Sequence, residues 1–263
     1  MTSPAAPEAM HAPPVATRSS GTAAVQVDDV SVHYIVPLAR AASLKEHLVG
    51  RVTRRATTRR HAALQHVSLR IEPGESVGIV GVNGSGKTTL LRLIARVLAP
   101  DVGRVRTWGR VAPILDVTGA LHPELTGREN IFLNGTLLGL RRRDIAERLD
   151  QIVDFAEIGD FIDAPVRTYS SGMMARLGFA IASDTDADVL LVDETLGVGD
   201  EHFQRKCAAR IDAVRQRGVT FLVVSHDLHS IRRLCPRVVW LDAGRLRADG
   251  KADAVLTAFR EAP

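Results

Sequence analysis

Gly81-Val82-Asn83-Gly84-Ser85-Gly86-Lys87-Thr88-Thr89 fits the pattern G-x-x-x-x-G-K-[ST] of a phosphate-binding loop. An apolar run at residues 76–80 leads into it as a short buried strand, and a helical pattern at residues 90–98 leads out. In that context Gly81, Gly84 and Gly86 let successive backbone N–H groups turn inward around a phosphate. Asn83, Ser85 and Thr89 complete the cradle, and the helix N-terminus adds its positive dipole end. Lys87 brings a point charge to the outer phosphates, and Thr88 offers a hydroxyl to Mg²⁺. The chain has thirty arginines and four lysines. One of those lysines stands where a compact ammonium, not a planar fork, is wanted.

Working outward, apolar strand patterns alternate with amphipathic helical ones. Strands are expected at residues 25–34, 64–71, 111–115, 189–192 and 219–224, with a closing hairpin around Ala243-Gly244. Helices are expected at residues 129–138, 143–156, 174–182, 201–217 and 252–259, with a short one at 159–163. This order predicts an α/β domain over residues 25–260: a mostly parallel sheet covered on both faces, an antiparallel β part, and a helical lobe over residues 117–183.

Val189-Leu190-Leu191-Val192-Asp193-Glu194 places two carboxylates at the carboxyl end of a buried strand, the ligand edge of such a sheet. Asp193 is suited to hold Mg²⁺ through water. Glu194 is suited to orient or deprotonate an attacking water.

Composition bounds the remainder. The chain has 263 residues, 45% of them apolar, enough for one large domain. No apolar stretch approaches the length of a membrane span. Residues 1–24 are rich in Ala, Pro, Ser and Thr and read as a disordered tail. Cys207 and Cys235 read as reduced, packed thiols. The net charge of +4 is unevenly spread: Arg40, Lys45, Arg51, Arg54, Arg55, Arg59 and Arg60 face Glu46 alone between residues 40 and 60. The basicity therefore belongs to an insertion at residues 35–60, with a helical pattern at 43–52, and not to a general nucleic-acid-binding face. Such a segment is either a solvated loop or a surface for anionic lipid headgroups or an anionic substrate.

Tyr169-Ser170-Ser171-Gly172-Met173, upstream of the acidic strand and opening a helix, resembles the signature of ATP-binding subunits of ABC transporters, usually Leu-Ser-Gly-Gly-Gln. The form Tyr-Ser-Ser-Gly-Met is similar to that of the branch exporting bacterial cell-surface polysaccharides: O-antigen, capsule and teichoic acid. The resemblance implies an ABC-type nucleotide-binding domain that hydrolyses ATP with Mg²⁺. It implies a homodimer in which Ser170 and Gly172 clamp the γ-phosphate of ATP held by the opposite subunit.

Residue by residue, the resemblance makes His226 the γ-phosphate switch and Asp200 the link between the two ATP sites. It makes Tyr34 the aromatic that stacks on adenine, with His61 a rival for that role. Asp116 stands where the family usually has a glutamine that senses the metal. A carboxylate there could polarise the metal shell but could not donate as an amide does.

The implied setting is peripheral, on the cytoplasmic face of the inner (plasma) membrane, with an integral permease as partner and a lipid-linked glycan as cargo. Some relatives carry a further C-terminal β-sandwich that binds the glycan end. With the chain ending at Pro263, glycan selection by such a module is not expected. An ABC ATPase of another transport class, or one outside transport, is the alternative.

Overall fold

The computed structural model describes residues 22–37, 58–115, 119–184, 186–193 and 200–262. Two sheets carry the fold. The first is antiparallel, in the order β2–β1–β4, from β1 (Val25–Pro37), β2 (Thr58–Ile71) and β4 (Val102–Thr107). The second has the order β5–β6–β7–β3–β8–β9. It contains β3 (Ser76–Val80), β5 (Val111–Ile114), β6 (Val189–Val192), β7 (Thr220–Val224), β8 (Arg237–Asp242) and β9 (Arg245–Lys251). Its first five strands run parallel, and only β9 pairs antiparallel, against β8.

The continuous apolar runs of the parallel strands follow from burial on both faces. Val189, Leu191, Leu222, Val224, Val239 and Leu241 join a core beneath the antiparallel sheet and α1 (Lys87–Ile94). The alternate residues Leu190, Val192, Phe221, Val223, Val238 and Trp240 join a second core. That core is closed by α5 (Glu201–Gln216), α6 (Leu228–Leu234) and α7 (Ala252–Glu261). A third core lies within the helical lobe, between α2 (Gly127–Leu137), α3 (Arg142–Ala156) and α4 (Ser171–Ser183). Thr126 and Glu129 form a reciprocal capping box at the start of α2.

Several expectations are corrected. The helix after the phosphate loop ends at Ile94, not residue 98. Arg96 turns left-handed (φ 59°) there, and the Val97 N–H donates to the Arg92 carbonyl, closing the helix. Strand β4 carried no clear alternation, because its residues are mostly exposed. It exists through pairing with β1, Val25 opposite Thr107 and Val27 opposite Val105. Helix α6 was too short to show a period; Asp227 caps it by accepting from the His229 N–H.

The tail expected over residues 1–24 gives way by residue 23: Ala23 and Ala24 are buried, and the Ala24 N–H donates to the Ile71 carbonyl. Part of the expected insertion is regular strand, since β1 runs on through Pro37 and β2 begins at Thr58. Residues 38–57, including the helical pattern at 43–52, lie outside the described residues.

Cys207 and Cys235 are free and buried, and burial pushes both thiols up to about 12. No described helix is long and apolar enough to cross a membrane.

Candidate functional site: the phosphate loop and the carboxyl edge of the parallel sheet

The loop between β3 and α1 borders a cavity of about 420 Å³, whose opposite wall is the paired ends of β1 and β2. Asn83, Gly84, Ser85, Gly86, Lys87, Thr88 and Thr89 all line it. The glycines are there for backbone reasons. Gly81, Gly84 and Gly86 have φ of 154°, 78° and 103°. A Cβ on Gly81 would lie 2.2 Å from the Leu241 carbonyl oxygen, and one on Gly86 would lie 2.5 Å from that of Ala63. Beside Gly84 there is open space: a Cβ there would meet none of the described residues within 4 Å.

The loop is braced from behind. The Gly244 N–H, at the tip of the β8–β9 hairpin, donates to the Ser85 carbonyl, and the Gln65 N–H donates to the Gly244 carbonyl. The Gly81–Gly86 fold is thus held by both sheets at once. Gly86→Ala combines a left-handed φ with a backbone clash, so it should destabilise the chain by about 1–3 kcal/mol. The check is a fall in the urea midpoint relative to the parent.

Lys87 is buried, and its ammonium donates to the carbonyls of Gly81 (2.8 Å) and Val82 (3.1 Å). Among the described residues, Ser85 Oγ is buried without a hydrogen-bond partner. A buried hydroxyl left unpaired in a cradle of this shape suits an anionic ligand's oxygen.

Parallel pairing delivers the acidic end of β6 to the same place. The Asp193 N–H donates to the Ile114 carbonyl (3.1 Å), and Thr88 Oγ1 donates to Asp193 Oδ2 (3.1 Å). Asp193 lines the cavity with Leu115. Glu194 and Asp116, each the residue after one of these, lie outside the described residues. His226 is exposed just beyond β7, the strand between β6 and β3, and so stands at the carboxyl edge of the sheet, although it does not line the cavity. Tyr34 and His61 are directly opposed across β1 and β2, and both line the cavity. The structure brings the two rivals together without choosing between them.

Two motifs stand apart from this cavity. Ser170 is exposed and caps α4, its Oγ accepting from the Met173 N–H; neither it nor Gly172 lines the cavity. A Cβ on Gly172 would meet nothing closer than Ser170 Oγ at 3.8 Å, so the turn is open to an approaching molecule. Tyr169, by contrast, is an anchor: buried in the lobe, its hydroxyl donates to the Phe161 carbonyl, and burial pushes its phenol up. Gly127 must be glycine beside it, since a Cβ there would lie 2.3 Å from that hydroxyl. Asp200 caps α5 by accepting from the Phe203 N–H, which holds its carboxyl below the usual range.

Sequence reasoning missed the bracing residues Gln65 and Gly244 and the unpaired Ser85 hydroxyl. Gly244, in a two-residue hairpin, was the one legible signal for them.

A glycine cradle, a buried lysine and a hydroxyl–carboxylate pair at the ends of parallel strands define a phosphate-loop nucleotide-binding fold. Residues 64–197 match the family model described as ABC transporter, and the chain belongs to that family: it is an ATP-binding, ATP-hydrolysing domain.

The chain is 48% identical over 204 residues to the O-antigen export system ATP-binding protein RfbB of Klebsiella pneumoniae, covering 78% of this chain and 83% of that protein. It is 42% identical over 200 residues to the teichoic acids export ATP-binding protein TagH of Bacillus cereus, covering 76% of this chain and 36% of that protein. Among solved structures, an ATP-binding subunit of an ABC transporter superposes with a TM-score of 0.71 at 21% identity, over 91% of this chain and 94% of that one.

Proposed function

We propose that the protein is the ATPase subunit that powers export of a cell-surface polysaccharide, or its lipid-linked precursor, through a separate membrane permease. The observation that carries the export reading is the 48% identity with an O-antigen export ATP-binding protein over most of both chains. The Tyr169–Met173 signature supports the same branch.

In this reading Lys87 and the loop N–H groups bind the β- and γ-phosphates. The all-oxygen pair of Thr88 and Asp193 suits Mg²⁺, a hard cation that accepts oxygen ligands. Among the described residues no cluster of three or more His, Cys, Asp or Glu could hold a metal alone. The ion would be shared with the nucleotide's phosphates, where it would neutralise charge developing in the transition state. Asp116 completes its surroundings. Glu194 orients and deprotonates the attacking water, and His226 contacts the γ-phosphate. Tyr34 takes the adenine.

Two copies sandwich two ATP molecules, with Ser170, Gly172 and the N-terminus of α4 closing on the partner's γ-phosphate and Asp200 linking the sites. The exposure of Ser170, away from its own chain's cavity, supports this arrangement. The permease gains a seat in an apolar cleft of about 590 Å³ between lobe and sheet, lined by Leu121, Leu137, Leu138 and Ile181. Leu137 is 75% exposed at its rim. The complex works at the cytoplasmic face of the plasma membrane.

The test is complementation. In cells lacking this gene, the parent restores surface polysaccharide and Lys87→Ala does not. Restoration of an unrelated transport activity instead would end the export reading.

Within the same reading, the basic residues beyond the β1–β2 strands face anionic headgroups of membrane or cargo. Each contributes about 1 kcal/mol near such a surface. Reversing Arg51, Arg54 and Arg55 to Glu should therefore reduce export while leaving basal ATPase of the isolated subunit unchanged. Normal export from that variant would make the segment a solvated loop.

A further inference from the structure

The two strands that carry Tyr34 and His61 do not stop at the cavity. Beyond that pair the register continues without a bulge: Ile35 opposite Arg60, then Val36 opposite Arg59. Side chains alternate faces along a strand, and directly opposed residues share a face. His61 and Arg59 therefore lie on one face with Tyr34 and Val36. Ala63, His61 and Tyr34 all line the nucleotide cavity. The other face carries His33, Ile35 and Arg60.

The chemistry of the two faces agrees with this alternation. The His33 backbone N–H and ring both reach Asp101 (2.7 and 3.1 Å). The Asp101 carboxyl is held below its usual range, first by the His33 N–H and further by the charge of Arg60. Arg60 thus has an acidic neighbour on the outer face. On the inner face Arg59 is exposed, beside a Val36 that is 44% exposed.

Tyr34 is half-buried against the core, and its hydroxyl lies 3.4 Å from Thr89 Oγ1 at the start of α1. With the phosphates held in the loop, a base resting on Tyr34 and His61 would extend outward along the strands. Arg59 lies two residues, about 7 Å, further along that line.

We propose that Arg59 is a specificity-determining residue of the nucleotide site: its planar guanidinium lies against the base of bound ATP, over the apolar floor of Val36. A delocalised planar cation suits the face of an aromatic base, and a lysine ammonium does not replace it. The proposal rests on the cavity being the ATP site. It also places the root of the basic insertion at the lip of that site, whereas in sequence the insertion lies far from the phosphate loop.

The experiment is calorimetric titration of the full chain with ATP and, separately, with inorganic tripolyphosphate, which has the phosphates but no base. Arg59→Ala should weaken ATP about tenfold and leave tripolyphosphate unchanged. Arg59→Lys should stay weak for ATP. Arg60→Ala, on the same strand but the opposite face, should leave both ligands at parental affinity and controls for strand integrity. Unchanged ATP affinity in Arg59→Ala overturns the contact. So does equal weakening of both ligands, recovery by lysine, or an equal effect from Arg60→Ala, each of which indicates charge alone. Lys87→Ala serves as the separate arm: if it too binds both ligands normally, the site reading fails and the Arg59 contact falls with it, whereas weakening by Lys87→Ala but not by Arg59→Ala overturns the contact alone.

Discussion

Glu194→Gln should lower ATP turnover by on the order of a hundredfold or more while leaving ATP binding intact. The residue follows Asp193, whose N–H is fixed to the Ile114 carbonyl and whose carboxylate accepts from Thr88. The amide keeps the size of the side chain but cannot take a proton from the attacking water. The phosphate cradle is untouched, because its N–H groups, Lys87 and Thr88 come from other parts of the chain. A bound but unhydrolysed γ-phosphate should then hold two subunits together. Size-exclusion chromatography with ATP should show a dimer for this variant and not for the parent after turnover. A variant that hydrolyses near the parental rate would remove Glu194 from the mechanism.

Mixing two inactive variants should restore part of the ATPase activity. Lys87→Ala deletes the buried ammonium of the loop, and Ser170→Arg blocks the open turn at the start of α4. Each homodimer then carries one lesion in both composite sites and should be inactive. The mixed dimer carries both lesions in one site and none in the other. The Ser170→Arg change should spare ATP binding to the monomer, since Ser170 does not line its own chain's cavity. Differently tagged subunits, purified as heterodimers, make the measurement clean. Proven heterodimers without activity would fail the picture of independent composite sites.

Much of the site was legible because its signals are local. The loop from Gly81 to Thr89 needs glycine at defined backbone angles, and those constraints act within nine consecutive residues. The parallel strands announced themselves as unbroken apolar runs, since both faces are buried in separate cores. Thr126, Ser170 and Asp200 cap their helices through equally local bonds, each to an N–H within a turn of itself.

Where signals come from partners distant in the chain, the sequence was silent. Strand β4 is mostly exposed and exists by pairing with β1. The bracing of Ser85 by Gly244, and of Gly244 by Gln65, joins three segments far apart in sequence. The departure at Tyr169 looked like a variation in a motif; packing shows an anchor bonded to Phe161 and fitted against Gly127.

By itself the sequence determined the chemistry: a phosphate loop, an acidic strand end and a helical lobe with its signature turn, all set by short-range backbone and burial demands. The tertiary structure alone decided which of these meet. Strand order brings Thr88 to Asp193 and sets His226 at the same carboxyl edge of the sheet. Register in an antiparallel ladder decides which side chains share a face, and a shift of one residue would turn Arg59 away and Arg60 inward. No pattern in the basic segment carries that information, because charge density is the same whichever face the residues occupy.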